Sequence, residues 1–184
     1  MELRSVEELM DLLYAGRGVW DTPDHRGHGV DHRGHGVDHR GHGVDHRGHG
    51  VEHRGHGVGY RGHGVDLHDH ALQTAALLRR SRPADKELQV TGLVHPIGRL
   101  LRPTSAAGRA EIVADAVRPL LGERVARLVR RHPWQGPPAD DDLLSLRQAD
   151  EDGRVAGVDA GVLEDWRTVL ELVAARNSRL GAVD

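Results

Sequence analysis

Four polar side chains lie at positions from which helices could bring them together around a metal ion. His70 opens one predicted helix, His95 and His132 end two others, and Asp150 follows a short fourth helix. Imidazoles and a carboxylate that enter the core of a helical bundle from separate helices can bind a divalent metal. Two His and one carboxylate are also the ligand set of non-haem Fe(II) sites. Taken alone, the four residues indicate a metal site only weakly, since a His at a helix end is more often a cap or a surface residue.

The elements that must position these residues are predicted to be helices. Apolar residues recur at helical spacing in seven segments, and no segment shows the alternation of a strand. Ser5 and Glu8 form a capping box at the first of them. Three further helices begin at Asp66 or Asp69, at residues 83–85, and at Asp140 or Asp141. Two more include residues 112–117 and 123–131, and the last extends over about residues 161–176. The sequence therefore predicts an all-α helical bundle.

Composition excludes several classes of protein. The chain has no Cys, so disulfide frameworks, Cys-ligated zinc and iron–sulfur clusters are ruled out. A net charge of −3 at pH 7 argues against a nucleic-acid-binding protein. No apolar run approaches the length of a membrane span, and the amino terminus lacks the apolar region of a signal peptide. We expect no membrane association and a cytoplasmic location.

A His-rich heptapeptide repeat separates the first helix from the rest of the chain. The unit Asp-His-Arg-Gly-His-Gly-Val begins at Asp24, Asp31, Asp38 and Asp45, with a fifth copy at Glu52. Residues 24–65 hold 11 of the 15 His. Two Gly in each unit oppose a helix, at about 1 kcal/mol each relative to Ala, and one Val in each unit cannot form a core. We predict a solvated, irregular tract.

This tract divides the chain into three parts. Residues 1–23 form a helix and connector that belong to the helical domain, residues 24–58 are the repeats, and residues 59–184 are the main helical domain. The evenly spaced imidazoles favour Ni²⁺, Zn²⁺ and Cu²⁺. Two interpretations stay open: a selected metal-binding function, or repeat duplication in a surface loop that tolerates insertions.

Two motifs resemble the HD-domain family. Residues 69–75 read Asp-His-Ala-Leu-Gln-Thr-Ala, and residues 93–101 read Leu-Val-His-Pro-Ile-Gly-Arg-Leu-Leu. Together they are similar to the branch of predicted HD phosphohydrolases that includes diiron oxygenases cleaving hydroxylated aminophosphonates, relatives of inositol oxygenase. The resemblance covers about residues 60–176 and the first helix. It implies an HD-like helical bundle around a metal pocket.

The resemblance assigns roles to five residues. His70 corresponds to the first metal-binding His, His95 to the His of the His-Asp pair, His132 to a later His, and Asp150 to the final Asp ligand. Tyr60 corresponds to a Tyr in the mobile active-site loop of the oxygenases. The metal implied by this set is Fe, Mn or Zn, and the implied ligand is a small phosphorylated or phosphonate compound.

The chain departs from the family pattern at several positions. Pro96 replaces the Asp of the His-Asp pair, residues 108–111 lack a further His, and His63 stands where a Glu is expected. The segment between the later His and the final Asp is also shortened. The missing Asp bridges the two metals of dinuclear members, so we expect a mononuclear site. Pro96 is also expected to end or kink the helix before it.

Three functions are compatible with this sequence. The first is a degenerate HD-like domain that binds metal without catalysis, and the second is an active phosphohydrolase or phosphonate oxygenase with one metal. The third is a metal-sequestering protein that acts through the repeats. His63 and His68 are candidate substitutes for a lost ligand because they are closest in sequence to His70. Arginines at helix ends could bind a phosphate, although such residues more often remain solvated: Arg79, Arg80, Arg82, Arg130 and Arg131.

Overall fold

A computed structural model of the chain describes residues 2–21, 65–132, 140–155 and 158–180. The fold is all-α, as the sequence predicts, with two short 3₁₀ turns at His95–Ile97 and Leu163–Trp166. The helices are α1 (Val6–Tyr14), α2 (Leu67–Ser81), α3 (Lys86–Val94), α4 (Gly98–Leu101), α5 (Arg109–Leu121), α6 (Glu123–Arg131), α7 (Asp141–Asp152) and α8 (Arg167–Leu180). The repeats at 24–58, Tyr60 and His63 lie outside the described residues.

Side-chain caps fix where four of the helices begin. Ser5, Asp66, Asp85 and Asp140 each accept a hydrogen bond from a backbone N–H in the first turn of α1, α2, α3 and α7. These bonds satisfy amide groups that have no partner inside the helix. The predicted helix starts at these caps are confirmed, with Asp66 and Asp140 chosen over their alternatives.

Two very short strands correct the expectation that no strand is present. β1 (Trp20–Asp21) pairs with β2 (Val65–Asp66) in antiparallel register, with Trp20 opposite Asp66. The backbone N–H of Leu67 extends the pairing by donating to the carbonyl of Val19. Two residues are too few to show an alternating pattern, so periodicity could not reveal them. The pair joins the residues that flank the repeat tract.

The helices bury one main core and a smaller cluster beside it. The main core takes side chains from α1, α2, α3, α5, α6 and α8, with Trp166 as its largest fully buried member. The smaller cluster joins α2, α3 and α6 to α7 through Leu78, Leu88, Leu128 and Leu146. Burying these side chains stabilises the fold by roughly 1.5–3 kcal/mol each. The two clusters therefore hold in place the helices that carry His70, His95, His132 and Asp150.

Arg124 on α6 links three helices through ion pairs. Its guanidinium donates to Asp85 at 2.6 Å, to Asp142 at 2.8 Å and to Glu87 at 2.9 Å. The hydrogen bond with Arg124 lowers the pKa of Asp85. These contacts tie α6 to the start of α3 and to the start of α7.

The beginning of the last helix also differs from the prediction. Gly161 has a φ of +91°, and Val162 is extended, so neither residue continues a helix. A 3₁₀ turn follows, and α8 begins at Arg167 rather than near Gly161. Among the residues that the structure describes, no helix has both the length and the apolar character needed to cross a membrane.

Thr74 provides a test of the packing around α2. Its hydroxyl is fully buried and has no hydrogen-bond partner among the described residues. An unpaired buried hydroxyl costs about 1–3 kcal/mol, so Thr74→Val should leave the free energy of unfolding unchanged or raise it by about 1 kcal/mol. The control is Thr91→Val, since the buried Thr91 hydroxyl donates to the Glu87 carbonyl at 2.8 Å. Urea unfolding should show a loss of about 1 kcal/mol for the control. Equal losses for both variants would contradict this account of Thr74.

Candidate metal centre

Three separate helices and one 3₁₀ turn carry the residues of the site. His70 lies in the first turns of α2, His95 follows α3, His132 follows α6, and Asp150 lies in the last turn of α7. Pro96 sets the position of His95, because proline lacks a backbone N–H and α3 ends at Val94, with a 3₁₀ turn over His95–Ile97. The predicted break at Pro96 is therefore confirmed.

His70, His95 and Asp150 converge on one point. The Nε2 atom of His70 lies 2.8 Å from Oδ1 of Asp150, and the Nε2 atom of His95 lies 3.1 Å from the same oxygen. The two Nε2 atoms are 3.3 Å apart. These three donor atoms form a cluster that could hold a metal ion.

The dimensions of the cluster fit a first-row divalent cation. Donors bound at about 2.0–2.1 Å lie roughly 2.8–3.4 Å from one another at octahedral and tetrahedral angles. The three measured separations of 2.8, 3.1 and 3.3 Å lie in that range. The donor set is two imidazoles and one carboxylate, which suits Zn²⁺ or Fe²⁺ better than a cation that prefers only oxygen.

Backbone carbonyls orient both imidazoles. Nδ1 of His70 lies 2.9 Å from the carbonyl oxygen of Gly153, and Nδ1 of His95 lies 2.8 Å from that of Gly92. A carbonyl oxygen only accepts, so in each ring Nδ1 carries the hydrogen. In the neutral ring Nε2 then presents a lone pair to Asp150, as metal-binding histidines do.

The two orienting carbonyls belong to glycines in close contact with α2. A Cβ on Gly153 would come within 2.7 Å of the Thr74 hydroxyl and 2.9 Å of the Ala149 carbonyl. A Cβ on Gly92 would come within 2.5 Å of a methyl of Leu78. Glycine therefore allows α3 and the end of α7 to approach α2 closely enough for both hydrogen bonds.

Electrostatics favour a neutral His95 beside an ionised Asp150. Burial lowers the pKa of the His95 imidazole to about 4, against the effect of the neighbouring carboxylate. Burial acts to raise the pKa of Asp150, yet that pKa lies well below its usual range, and the Arg154 guanidinium, which donates to both carboxylate oxygens, favours the ionised form. At pH 7 His95 is neutral and carries its hydrogen on Nδ1. Its Nε2 atom therefore donates no hydrogen bond to Asp150. A cation among the three donor atoms would satisfy these facing lone pairs.

His132 contacts the same carboxylate from another side. Its Nε2 atom lies 3.3 Å from Oδ2 of Asp150, and its ring stands edge-on to that of His95 with centroids 4.9 Å apart. The buried Nδ1 atom of His132 has no partner among the described residues. The structure thus brings His132 to Asp150 but leaves it outside the three-atom cluster.

His68 does not reach this cluster. It is buried against α1, where Nδ1 lies 3.1 Å from the carbonyl oxygen of Leu13 and the ring stacks on Tyr14. The physical reason is helical geometry, since residues two apart on α2 project about 200° apart. The hypothesis that His68 replaces a lost ligand is not supported, and the same hypothesis for His63 falls outside the described residues.

A basic pocket opens beside the cluster. It has a volume of about 130 Å³, enough for several waters or a small anion. Three arginines line it together with His70, His95, Pro96 and His132: Arg99, Arg109 and Arg154. The arginines named from sequence do not line this pocket. Arg79 instead lies over the Trp166 ring, and Arg130 pairs with Glu111.

Arg154 is the site residue that sequence reasoning missed most clearly. Its guanidinium donates to both carboxylate oxygens of Asp150, at 2.9 and 3.1 Å. The spacing of four residues from Asp150 was a usable signal, since side chains four apart near a helix can pair. Comparison of the sequence with models of protein families and with curated proteins found no match.

Proposed function

We propose that the chain is a mononuclear metal-binding domain of the HD type that binds a small anion beside the metal. His70, His95 and Asp150 are the metal ligands. The observation that carries this proposal is the pair of Nδ1 contacts to backbone carbonyls, which turns the Nε2 atoms of His70 and His95 toward the carboxylate of Asp150. Three acceptor atoms that face one another repel, and a cation bound between them would remove that repulsion.

The metal of this site is Fe, Mn or Zn. The ligands are nitrogen and oxygen atoms with no thiolate, because the chain has no Cys. His95 and His132 follow the carboxyl ends of α3 and α6, where the helix dipoles place partial negative charge near the cation. A bound divalent ion would supply Lewis-acid stabilisation of a negatively charged ligand.

The ligand class is a small phosphorylated or phosphonate compound. Arg99, Arg109 and Arg154 would bind its oxygens, since guanidinium groups match the geometry of phosphoryl oxygens. Two backbone carbonyls hold Arg109 at the pocket, because its Nε donates to Arg102 and its Nη2 to Pro103. The cytoplasmic location expected from sequence is part of the same proposal.

In this proposal the chain binds its ligands but does not catalyse a reaction. Pro96 stands where the HD pattern has an Asp and contributes no side-chain oxygen to the pocket. Among the described residues that line the pocket, none is a carboxylate. Of the lining residues that the structure describes, His132 is the one imidazole outside the ligand set. Binding, orientation and charge neutralisation are retained, while a second metal has no bridging ligand.

An assay of turnover separates this proposal from an active enzyme. Full-length protein and its His70→Ala variant would be loaded with Fe²⁺, Mn²⁺ or Zn²⁺ and given phosphomonoesters and phosphonates. We expect no phosphate release and no phosphonate oxidation that depends on His70. Turnover that disappears in His70→Ala would instead establish the alternative, an active phosphohydrolase or oxygenase with one metal.

The evenly spaced His of the repeats support a second candidate function, metal sequestration. Residues 24–58 contain ten His at alternating spacings of three and four, a composition that binds Ni²⁺, Zn²⁺ or Cu²⁺. Removing whole repeat units discriminates between the two interpretations. Sequestration predicts that metal tolerance of the host cell falls with each unit removed, and neutral duplication predicts no change in fold or function.

A further inference from the structure

Arg154 occupies an unusual position between the candidate metal ligands and the pocket. Its guanidinium contacts both oxygens of Asp150, and its side chain is 41% exposed and lines the pocket. One residue, Gly153, separates Arg154 from the end of α7. A long side chain in this position can reach either Asp150 or a ligand in the pocket.

The guanidinium and a metal ion would compete for the same carboxylate oxygen. Oδ1 of Asp150 accepts from Arg154 at 2.9 Å and is also the oxygen that faces the Nε2 atoms of His70 and His95. A divalent cation held by those three atoms would place two positive charges next to the guanidinium. Like charges a few ångströms apart repel, and the Asp150 carboxylate that both would contact is only 12% exposed. Metal binding therefore favours departure of Arg154 from Asp150.

The pocket offers the displaced guanidinium an anionic partner. Arg99 and Arg109 already line it, so a small dianion there would lie among three guanidinium groups and beside the metal. Arg154 could then exchange one charge-assisted hydrogen bond for another, with an oxygen of the bound anion replacing an oxygen of Asp150.

We propose that Arg154 couples the two ligands of this site: metal releases it from Asp150, and the released side chain binds the anion. This inference rests on the proposed function, because it needs the metal site formed by His70, His95 and Asp150. Arg154 is thus a competitor of the metal and a partner of the anion. Because linkage is reciprocal, the anion raises metal affinity by the same factor as metal raises anion affinity.

The test measures two affinities in full-length protein. Zn²⁺ affinity would be measured by competition with a chelating dye, and inorganic phosphate affinity by calorimetry on the Zn²⁺-loaded chain. Every protein is compared with a version that also carries His70→Ala, so that the signal from the repeats is subtracted. The variant is Arg154→Gln. The matched control is Arg147→Gln, because Arg147 is similarly exposed and pairs with a carboxylate four residues away on α7.

The expected effects have opposite signs. Arg154→Gln should bind Zn²⁺ about tenfold more tightly, because a competing charge is removed, and phosphate about tenfold more weakly. Arg147→Gln should change neither affinity. Damage to the fold would weaken both, so parallel losses, or no difference between Arg154→Gln and Arg147→Gln, would overturn the coupling. If the wild-type chain shows no His70-dependent Zn²⁺ binding, the proposed function itself fails.

Discussion

Replacing Asp150 with Asn is expected to lower the Zn²⁺ affinity of the site by about 100-fold or more. Asp150 would supply the anionic ligand, and its Oδ1 atom lies within 3.1 Å of both Nε2 atoms. An amide keeps the shape of the side chain but removes the negative charge that balances the cation. Zn²⁺ affinity is measured by competition with a chelating dye. Each protein is compared with a version that also carries His70→Ala, so that binding by the repeats is subtracted.

Asp152 is the matched control for this substitution. It lies on α7 two residues after Asp150, is exposed, and belongs to neither the cluster nor the basic pocket. Asp152→Asn removes the same charge from the same helix and should leave Zn²⁺ affinity within about twofold. Equal effects of the two substitutions would show that the charge of α7, rather than ligation by Asp150, controls metal binding.

Acid is expected to destabilise the chelator-treated protein between pH 6.5 and about 4. An unfolded His has a pKa near 6.5, whereas burial lowers the pKa of His95 to about 4 in the folded chain. Between these values the unfolded chain binds a proton that folded His95 does not, so the free energy of unfolding falls as pH falls. This linkage corresponds to roughly 2–3 kcal/mol across the interval.

Urea unfolding of the wild type and of His95→Gln at several pH values measures this effect. The other His residues are the same in both chains, so the difference between the two slopes reports His95. The variant should lose less stability on acidification than the wild type. Equal slopes would contradict a buried neutral His95. If His95→Gln does not fold, an NMR titration of the His95 ring in the wild type gives the same answer, with titration near pH 6.5 as the contradicting result.

Much of the helical framework follows from local signals in the sequence. Caps such as Ser5 and Asp85 are strong because a side-chain oxygen satisfies an amide within three residues. Pro96 predicts the end of α3 for an equally local reason. Elements that form only through backbone partners distant in sequence were not predicted. The β1–β2 pair is an example.

The candidate site is predictable in its ligands but not in its surroundings. The residue types and positions of His70, His95 and Asp150 indicate a metal cluster only weakly on their own, and the two motifs that resemble the HD-domain family point to the same residues. The carbonyls of Gly92 and Gly153 are not predictable, because backbone carries no residue-specific signal and the contact of Gly153 with His70 spans 83 residues. His68 shows the opposite error, since proximity in sequence does not place two side chains on one helix face.

The metal content of the purified protein tests the proposed centre of His70, His95 and Asp150. Mass spectrometry would be applied to untagged protein lacking residues 24–58, which removes ten His but keeps both β1 and β2, and to the same chain with His70→Ala. We expect roughly one Fe, Mn or Zn per chain in the first protein and its loss in the second. Absence of metal from both proteins would contradict a metal centre formed by His70, His95 and Asp150.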